Sequence, residues 1–229
     1  MTSISDAIGD TAVQEIVHPR ALQEPSESFL ASTRRYLEAK GWTRAVAGDE
    51  DFEAACRAWG LCMCNPAGIY VWGRFGCGKT AFLRLLRPLI NAHFVSLGDP
   101  DCAKCLTDDV WIRDALESNV ILDDLGAESG FSDYGVKRDL VGEFIMRYYA
   151  ARVGRTDSQI GSRPCRVGRT DRRQGAAPRF GRRRRLLIST NLSGEELVQR
   201  YTMRISSRIK ELCIPLHLKG NDKRKWGGA

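Results

Sequence analysis

No stretch of this 229-residue sequence approaches the roughly 18 consecutive apolar residues of a membrane-spanning helix. The opening MTSISDAIGD lacks both the basic start and the apolar run of a secretion signal. These absences lead to the expectation of a cytoplasmic protein without a membrane partner. Histidine is scarce: His18, His93 and His217 stand far apart, with no metal-ligand spacing. The eight cysteines are scattered, and only Cys62/Cys64 and Cys102/Cys105 form close pairs, C-x-C and C-x-x-C. A zinc site would usually want two such pairs facing each other, so ordinary reduced thiols are the preferred reading.

What is present suffices for one sizeable core, since 43% of the residues are hydrophobic. The net charge of +7 is local. Residues 151–185 hold twelve arginines and two aspartates, a net +10, which leaves −3 for the remainder. Such concentration points to a nucleic-acid contact or a solvated loop, not to a uniformly basic surface. Within it RVGRTDSQIGSRPC (152–165) is followed by RVGRTDRRQGAAPR (166–179), identical at eight of fourteen positions. This tandem duplication is rich in Arg and Gly and poor in aliphatics, a composition that does not pack. Three readings stand: a clamp on DNA phosphates, a loop expansion without function, and an accident of sequence. The lack of interleaved aromatics to stack on bases weighs against the clamp.

The chemistry begins at residues 68–90. GIYVWG (68–73) is a short apolar run rich in β-branched and aromatic residues and reads as a buried strand. KTAFLRLLRPL (79–89) has helical apolar spacing. Between them GRFGCGKT matches G-x-x-x-x-G-K-[ST] at every fixed position. Glycines let the backbone turn tightly and bring its N–H groups against phosphate oxygens, and the helix N-terminus adds partial positive charge. The expected nucleotide-binding residues are Gly73, Arg74, Phe75, Gly76, Cys77, Gly78, Lys79, Thr80 and Ala81. Lys79 would reach the β- and γ-phosphates of ATP and the Thr80 hydroxyl would ligate Mg²⁺. A chance glycine-rich turn is the competing reading, and the strand–loop–helix context disfavours it.

NVILDDLG (119–126) reads as a buried strand ending in two carboxylates, placed beside the phosphate loop in an open α/β sheet. Asp123 is the candidate Mg²⁺-side carboxylate. Asp124 either orients and deprotonates the attacking water or merely caps the following turn. RRLLISTN (184–191) is a third strand whose tip, Asn191, is either a hydrogen-bond donor to water or γ-phosphate or a turn former.

These pieces resemble the AAA+ ATPases, and more narrowly the DnaC/DnaI-type helicase loaders and IstB-type transposition helper ATPases. GIYVWGRFGCGKT, NVILDDLG, LLISTNLSGEEL, RYTMRISSRIKEL and LKGNDKR carry the resemblance, across about residues 55–226 outside the arginine-rich stretch. It implies a three-layer P-loop NTPase fold of the AAA+/ASCE kind, with five strands near 68–73, 93–97, 119–124, 186–191 and 213–218, mostly parallel, ordered 5-1-4-3-2. Many related ATPases carry glutamate where Asp124 stands. The resemblance makes Arg204 the match to an arginine finger supplied in trans to a neighbouring subunit, with Arg208 one turn further on. The alternative is a solvated helix face spaced i, i+4.

The 38 residues after Asn191 fit helices from about Ser193 to Tyr201 and Met203 to Leu212 and a last strand, which leads to the expectation of no C-terminal lid domain. A helix is expected over VKRDLVGEFIMRYYAAR, and two weaker ones around ESFLASTRRYLEAKGW, capped by Ser26 or Ser28, and DEDFEAACRAWGLC. The domain expectation is a short N-terminal region, 1–55, that is partner-binding or partly disordered. An ATPase domain, 56–226, follows, interrupted by the insertion at about 152–184. The implied activity is slow ATP hydrolysis, stimulated by DNA or partners, that loads a hexameric replicative helicase onto single-stranded DNA from a self-associated ring or spiral. The alternatives are a helper ATPase that binds duplex DNA and a transposase, and a nucleotide-gated adaptor with little hydrolysis.

Overall fold

The computed structural model describes residues 22–128, 131–133, 136–153 and 184–220, with 131–133 and 136–137 by backbone alone. Three N-terminal helices come first: α1 (Glu27–Ala39), α2 (Arg44–Ala47) and α3 (Asp49–Cys64). Ser26 caps α1, its side chain accepting from the Phe29 amide. There follow β1 (Gly68–Gly73), α4 (Lys79–Ile90), β2 (His93–Ser96), α5 (Cys102–Thr107), α6 (Asp109–Glu117) and β3 (Val120–Leu125). The chain continues through β4 (Phe131–Asp133), β5 (Val136–Arg138), α7 (Leu140–Val153), β6 (Leu186–Thr190), α8 (Gly194–Leu212) and β7 (Cys213–Leu218).

Five strands form one parallel sheet ordered β2-β3-β6-β1-β7. Numbered within the sheet alone this is 2-3-4-1-5, the expected 5-1-4-3-2 read from the other edge. Parallel strands need crossovers, and the helices of those crossovers cover both faces. The side-chain alternation of a strand sorts residues between the faces. Ile121, Leu187, Ile69, Val71, Ile214 and Leu216 join one core cluster with α3 and α4. Val120, Leu122, Leu186 and Ile188 join the other, with α7 and α8. The result is a three-layer P-loop NTPase fold. In β6 every residue is buried, which explains why Leu186, Leu187 and Ile188 run on without polar alternation.

The N-terminal helices share the first cluster: Leu37, Trp42 and Phe52 pack with Phe82 and Ile69. Asp51 of α3, itself buried, accepts from the Lys219 and Gly220 amides just past β7, at 3.0 and 2.8 Å. The boundary anticipated near residue 55 falls inside α3, whose Phe52 and Trp59 enter the same cluster.

The helix expected over VKRDLVGEFIMRYYAAR starts later than the sequence pattern suggests. Val136–Arg138 pair with Phe131–Asp133 as an antiparallel hairpin. Asp139 then stops the strand, its carboxylate accepting from the Gly142 amide at 2.8 Å and its carbonyl from the Glu143 amide at 2.9 Å. An Asx cap of this kind competes with helix on its N-terminal side. The two helices expected after Asn191 run on as α8, broken at Thr202, whose backbone has φ 71° and ψ 155°. Ser193 and Glu196 close a capping box at its start.

Of the insertion expected at about 152–184, residues 154–183, and with them all but the first two residues of the duplication, lie outside the described residues. Its flanks are held at the end of β6 away from Asn191. The Arg152 guanidinium donates to the Leu212 carbonyl at 3.2 Å, Arg184 ion-pairs with Glu117, and Arg185 donates to the Cys62 carbonyl at 3.0 Å.

β1 and β6 approach so closely at Gly68 that a Cβ there would meet the Leu186 carbonyl oxygen at 1.7 Å. The Gly68→Ala variant must push these central strands apart. It is expected to lose about 3 kcal/mol, or about 6–12 °C of melting temperature, read by thermal circular dichroism.

Candidate nucleotide-binding site

The parallel registers bring the C-terminal ends of β1, β6 and β3 to one edge, with Thr190 opposite both Trp72 and Leu125. Three segments with chemical groups therefore meet there: the loop after Gly73, the Asp123–Asp124 pair and Asn191.

The loop turns on glycines where the geometry demands them. Gly76 has φ 77° and Gly78 φ 101°, both left-handed, and a Cβ on Gly73 would meet the Leu218 carbonyl oxygen at 2.2 Å. Gly78 is the N-cap of α4 and offers no side chain, so the first-turn amides of that helix have no side-chain cap. Such uncapped amides at a positive helix end suit an anion. Arg74, Phe75 and Ala81 are exposed, Phe75 by 67%, whereas Cys77 is buried. Trp42 backs the loop from the N-terminal region. Its Nε1 lies 3.4 Å from the position a Gly78 Cβ would take, and its ring packs on Phe52 and Phe82 at 5.9 and 5.1 Å.

Lys79 is 4% exposed. Its ammonium donates to the Gly73 and Arg74 carbonyls, both at 2.8 Å, and to Asn191 Oδ1 at 2.7 Å. Asn191 thus sits within reach of the phosphate loop. A buried ammonium must be paired, and here it is satisfied by three oxygens drawn from two strand ends.

Thr80 donates to Asp123 Oδ1 at 3.1 Å, and Ser189 of β6 donates to the same oxygen at 2.5 Å. The Ser189 hydroxyl in turn accepts from the Asp124 amide at 2.9 Å. Asp123 is 1% exposed. Burial pushes its carboxyl above the ordinary aspartate value; the Ser189 hydrogen bond pulls it back, the charge of Asp124 raises it, and Thr80 lowers it. Threonine hydroxyl and carboxylate are hard oxygen donors, the set that suits Mg²⁺.

Asp124 is half-buried and left-handed, with φ 61°, at a break in the β3–β6 register. Its carbonyl, not its carboxylate, closes the next turn by accepting from the Ala127 amide at 2.9 Å. Among the described residues its carboxylate makes no hydrogen bond.

Arg204 is exposed on α8 and makes no hydrogen bond or ion pair with the described residues. Arg208 is engaged: it donates to the Tyr149 hydroxyl at 3.0 Å and to Glu211 at 2.5 Å, with its guanidinium 4.3 Å from the Tyr149 ring centre. The seven cysteines among the described residues are free. Cys62 Sγ donates to the Ala67 carbonyl and burial pushes it up to about 12, and Cys102 is raised too, also by burial. Among the described residues no cluster of three or more His, Cys, Asp or Glu could hold a metal. No helix of the described residues is long and apolar enough to cross a membrane.

Sequence reading missed two residues here. Ser189 has a signal, a polar residue inside an otherwise apolar strand. Glu128, buried behind the Asp124 turn, has none that sets it apart from a surface acid.

No family model matches the chain, and no curated protein matches it. Among solved structures it is similar to the crystal structure of DnaI, at 18% sequence identity and a TM-score of 0.41, over 90% of this chain and 94% of that one.

The raised pKa of Asp123 sets the sign of a pH effect. The native state holds this proton more tightly than the unfolded chain does, so the group favours folding at low pH. That contribution fades as pH rises through the native pKa, and at neutral pH the ionised carboxylate is a stability cost. Asp123→Asn is expected to raise the melting temperature at pH 7 without ligand. That gain should shrink in acid, and the further rise produced by Mg²⁺ with ATP should be lost; differential scanning fluorimetry across pH reads all three.

Proposed function

We propose that this chain is an ATP-binding and ATP-hydrolysing protein that loads a hexameric replicative helicase onto single-stranded DNA. The observation that carries the ATPase reading is the convergence of Lys79, Thr80, Asp123 and Asn191 at the ends of three adjacent strands. Mg²⁺ with ATP would supply the phosphoanhydride that breaks and the cation that neutralises charge gathering on its oxygens.

The chain's own groups then divide the work. Lys79 exchanges its two loop carbonyls for phosphate oxygens, keeping the charge paired throughout. Thr80 and Asp123 hold the cation between them, with Ser189 fixing the Asp123 carboxylate. Asp124, whose carboxylate has no other partner among the described residues, orients water and takes its proton. Asn191 steadies water or the terminal phosphoryl group. Of the two candidate arginines, Arg204 is available to a neighbouring copy in a ring or spiral, while Arg208 is held by Tyr149 and Glu211.

The loader reading is supported by the R-Y-x-x-R-x-x-S-R pattern that follows the asparagine-bearing strand. The N-terminal region would grip the helicase. A second reading, a nucleotide-gated adaptor, draws support from Asp124 itself, one methylene shorter than glutamate and set on a left-handed residue.

Affinity capture from a host lysate with ATP and Mg²⁺ is expected to recover a hexameric replicative helicase with the native chain and to lose it with Lys79→Ala. Recovery of a transposase instead would favour the helper ATPase. Asp124→Asn is expected to slow phosphate release from ATP about 100-fold or more. Native turnover near background, unchanged by Asp124→Asn, would favour the adaptor.

A further inference from the structure

Glu128 lies four residues past Asp124 and is 7% exposed. A carboxylate this deep needs donors, and it gathers them from two elements. Oε2 accepts from the Gly126 amide of its own loop at 2.9 Å. Oε1 accepts from the Tyr201 hydroxyl, and from the Arg200 guanidinium at 3.2 Å. Arg200 also donates to the Glu128 carbonyl at 3.0 Å. Tyr201 is 1% exposed, and burial, then the bond to Glu128, raises its hydroxyl well above the ordinary tyrosine range.

What the two ends hold matters more than the bonds. On one side, Gly126 has φ 98° and lies against Leu192, the residue after Asn191, where a Cβ would meet Leu192 Cδ1 at 2.5 Å. Thr190 donates to the Leu125 carbonyl at 2.6 Å in the same knot. On the other side, Arg200 and Tyr201 are the last helical residues before Thr202. Its φ of 71° and ψ of 155° form a combination costly for a β-branched residue, which persists only where surroundings enforce it. Met203, 73% exposed, and Arg204 follow at once.

We infer that Glu128 is a positioning residue that ties the Asp123–Asp124 loop to the break in α8 and thereby sets where Arg204 is presented to a neighbouring copy. The inference rests on the ATPase reading and on Arg204 acting across a subunit contact. Glu128 touches no reacting atom. It acts through Tyr201 and Arg200, so a loosened tie displaces Arg204 without altering the phosphate loop. Displacements of this order cost rate more than affinity.

The test is a double-mutant cycle on ATP turnover in the full-length chain at assembly concentrations, with Lys79→Ala as the control. Tyr201→Phe removes one donor and keeps the shape, and Glu128→Gln is the second variant. Each is expected to lower kcat about tenfold and to leave the dissociation constant for ATP within about twofold. Tyr201→Phe combined with Arg204→Ala is expected to be no slower than Arg204→Ala alone. Multiplying losses would overturn the inference and leave the ATPase reading standing. So would a Tyr201→Phe variant that loses affinity, turnover and melting temperature together, which is the mark of a merely structural bond. Native turnover in Arg204→Ala would remove the finger and the inference with it. Native ATP binding that Lys79→Ala does not change would instead sink the site assignment.

Discussion

The buried ammonium of Lys79 is the constraint on which the site depends. A cation at 4% exposure without partners would cost several kcal/mol, so the chain must bring oxygens to it. Two come from the loop that carries it and one from Asn191, 112 residues away in sequence. The contact can form only if β1 and β6 are neighbours in register, with Trp72 opposite Thr190. Sheet order, loop closure and site geometry are therefore one requirement. A strand order that separated β1 from β6 would strand a charge.

Asp123 shows the same economy with the opposite sign. Its hydroxyl donors, Thr80 and Ser189, hold one oxygen while burial disfavours its ionised form. Asp123 is therefore the strained member of the cluster, since Lys79 has its three oxygens. Under the proposed function, Mg²⁺ with a polyphosphate would bring a cation to that carboxylate and anionic oxygens to the lysine.

Much of this was legible in the sequence, for identifiable reasons. The turn after β1 stands at positions that demand glycine, Gly73, Gly76 and Gly78, so spacing alone reveals the turn. The central strands β3 and β6 are buried on both faces, and their apolar stretches VIL and LLI stand out from the helical repeats. The break in α8 falls where the two helices were expected to meet, at Tyr201 and Met203, although the apolar spacing Leu197, Tyr201, Ile205, Ile209 runs straight through it. What escaped depends on tertiary contacts. The Val136–Arg138 strand carries no apolar run, and a strong cap at Asp139 settled the helix start. Ser189 and Glu128 act through partners 66 and 73 residues distant, which local pattern cannot register. Trp42 reads as a helix-end aromatic and became the backing of the phosphate loop.

The anchors at Arg152, Arg184 and Arg185 have a consequence for how such a chain tolerates growth. They fix the exit from α7 and the entry to β6 to the body of the protein, against Leu212, Glu117 and Cys62. For any flexible connection between fixed ends, closure entropy rises by about 0.6 kcal/mol for each doubling of length. Growth of a flexible connection between anchors of this kind therefore costs the sheet little. Arg184 and Arg185 lead into the start of β6, so the whole length of that strand separates the point of growth from the Lys79–Asn191 contact.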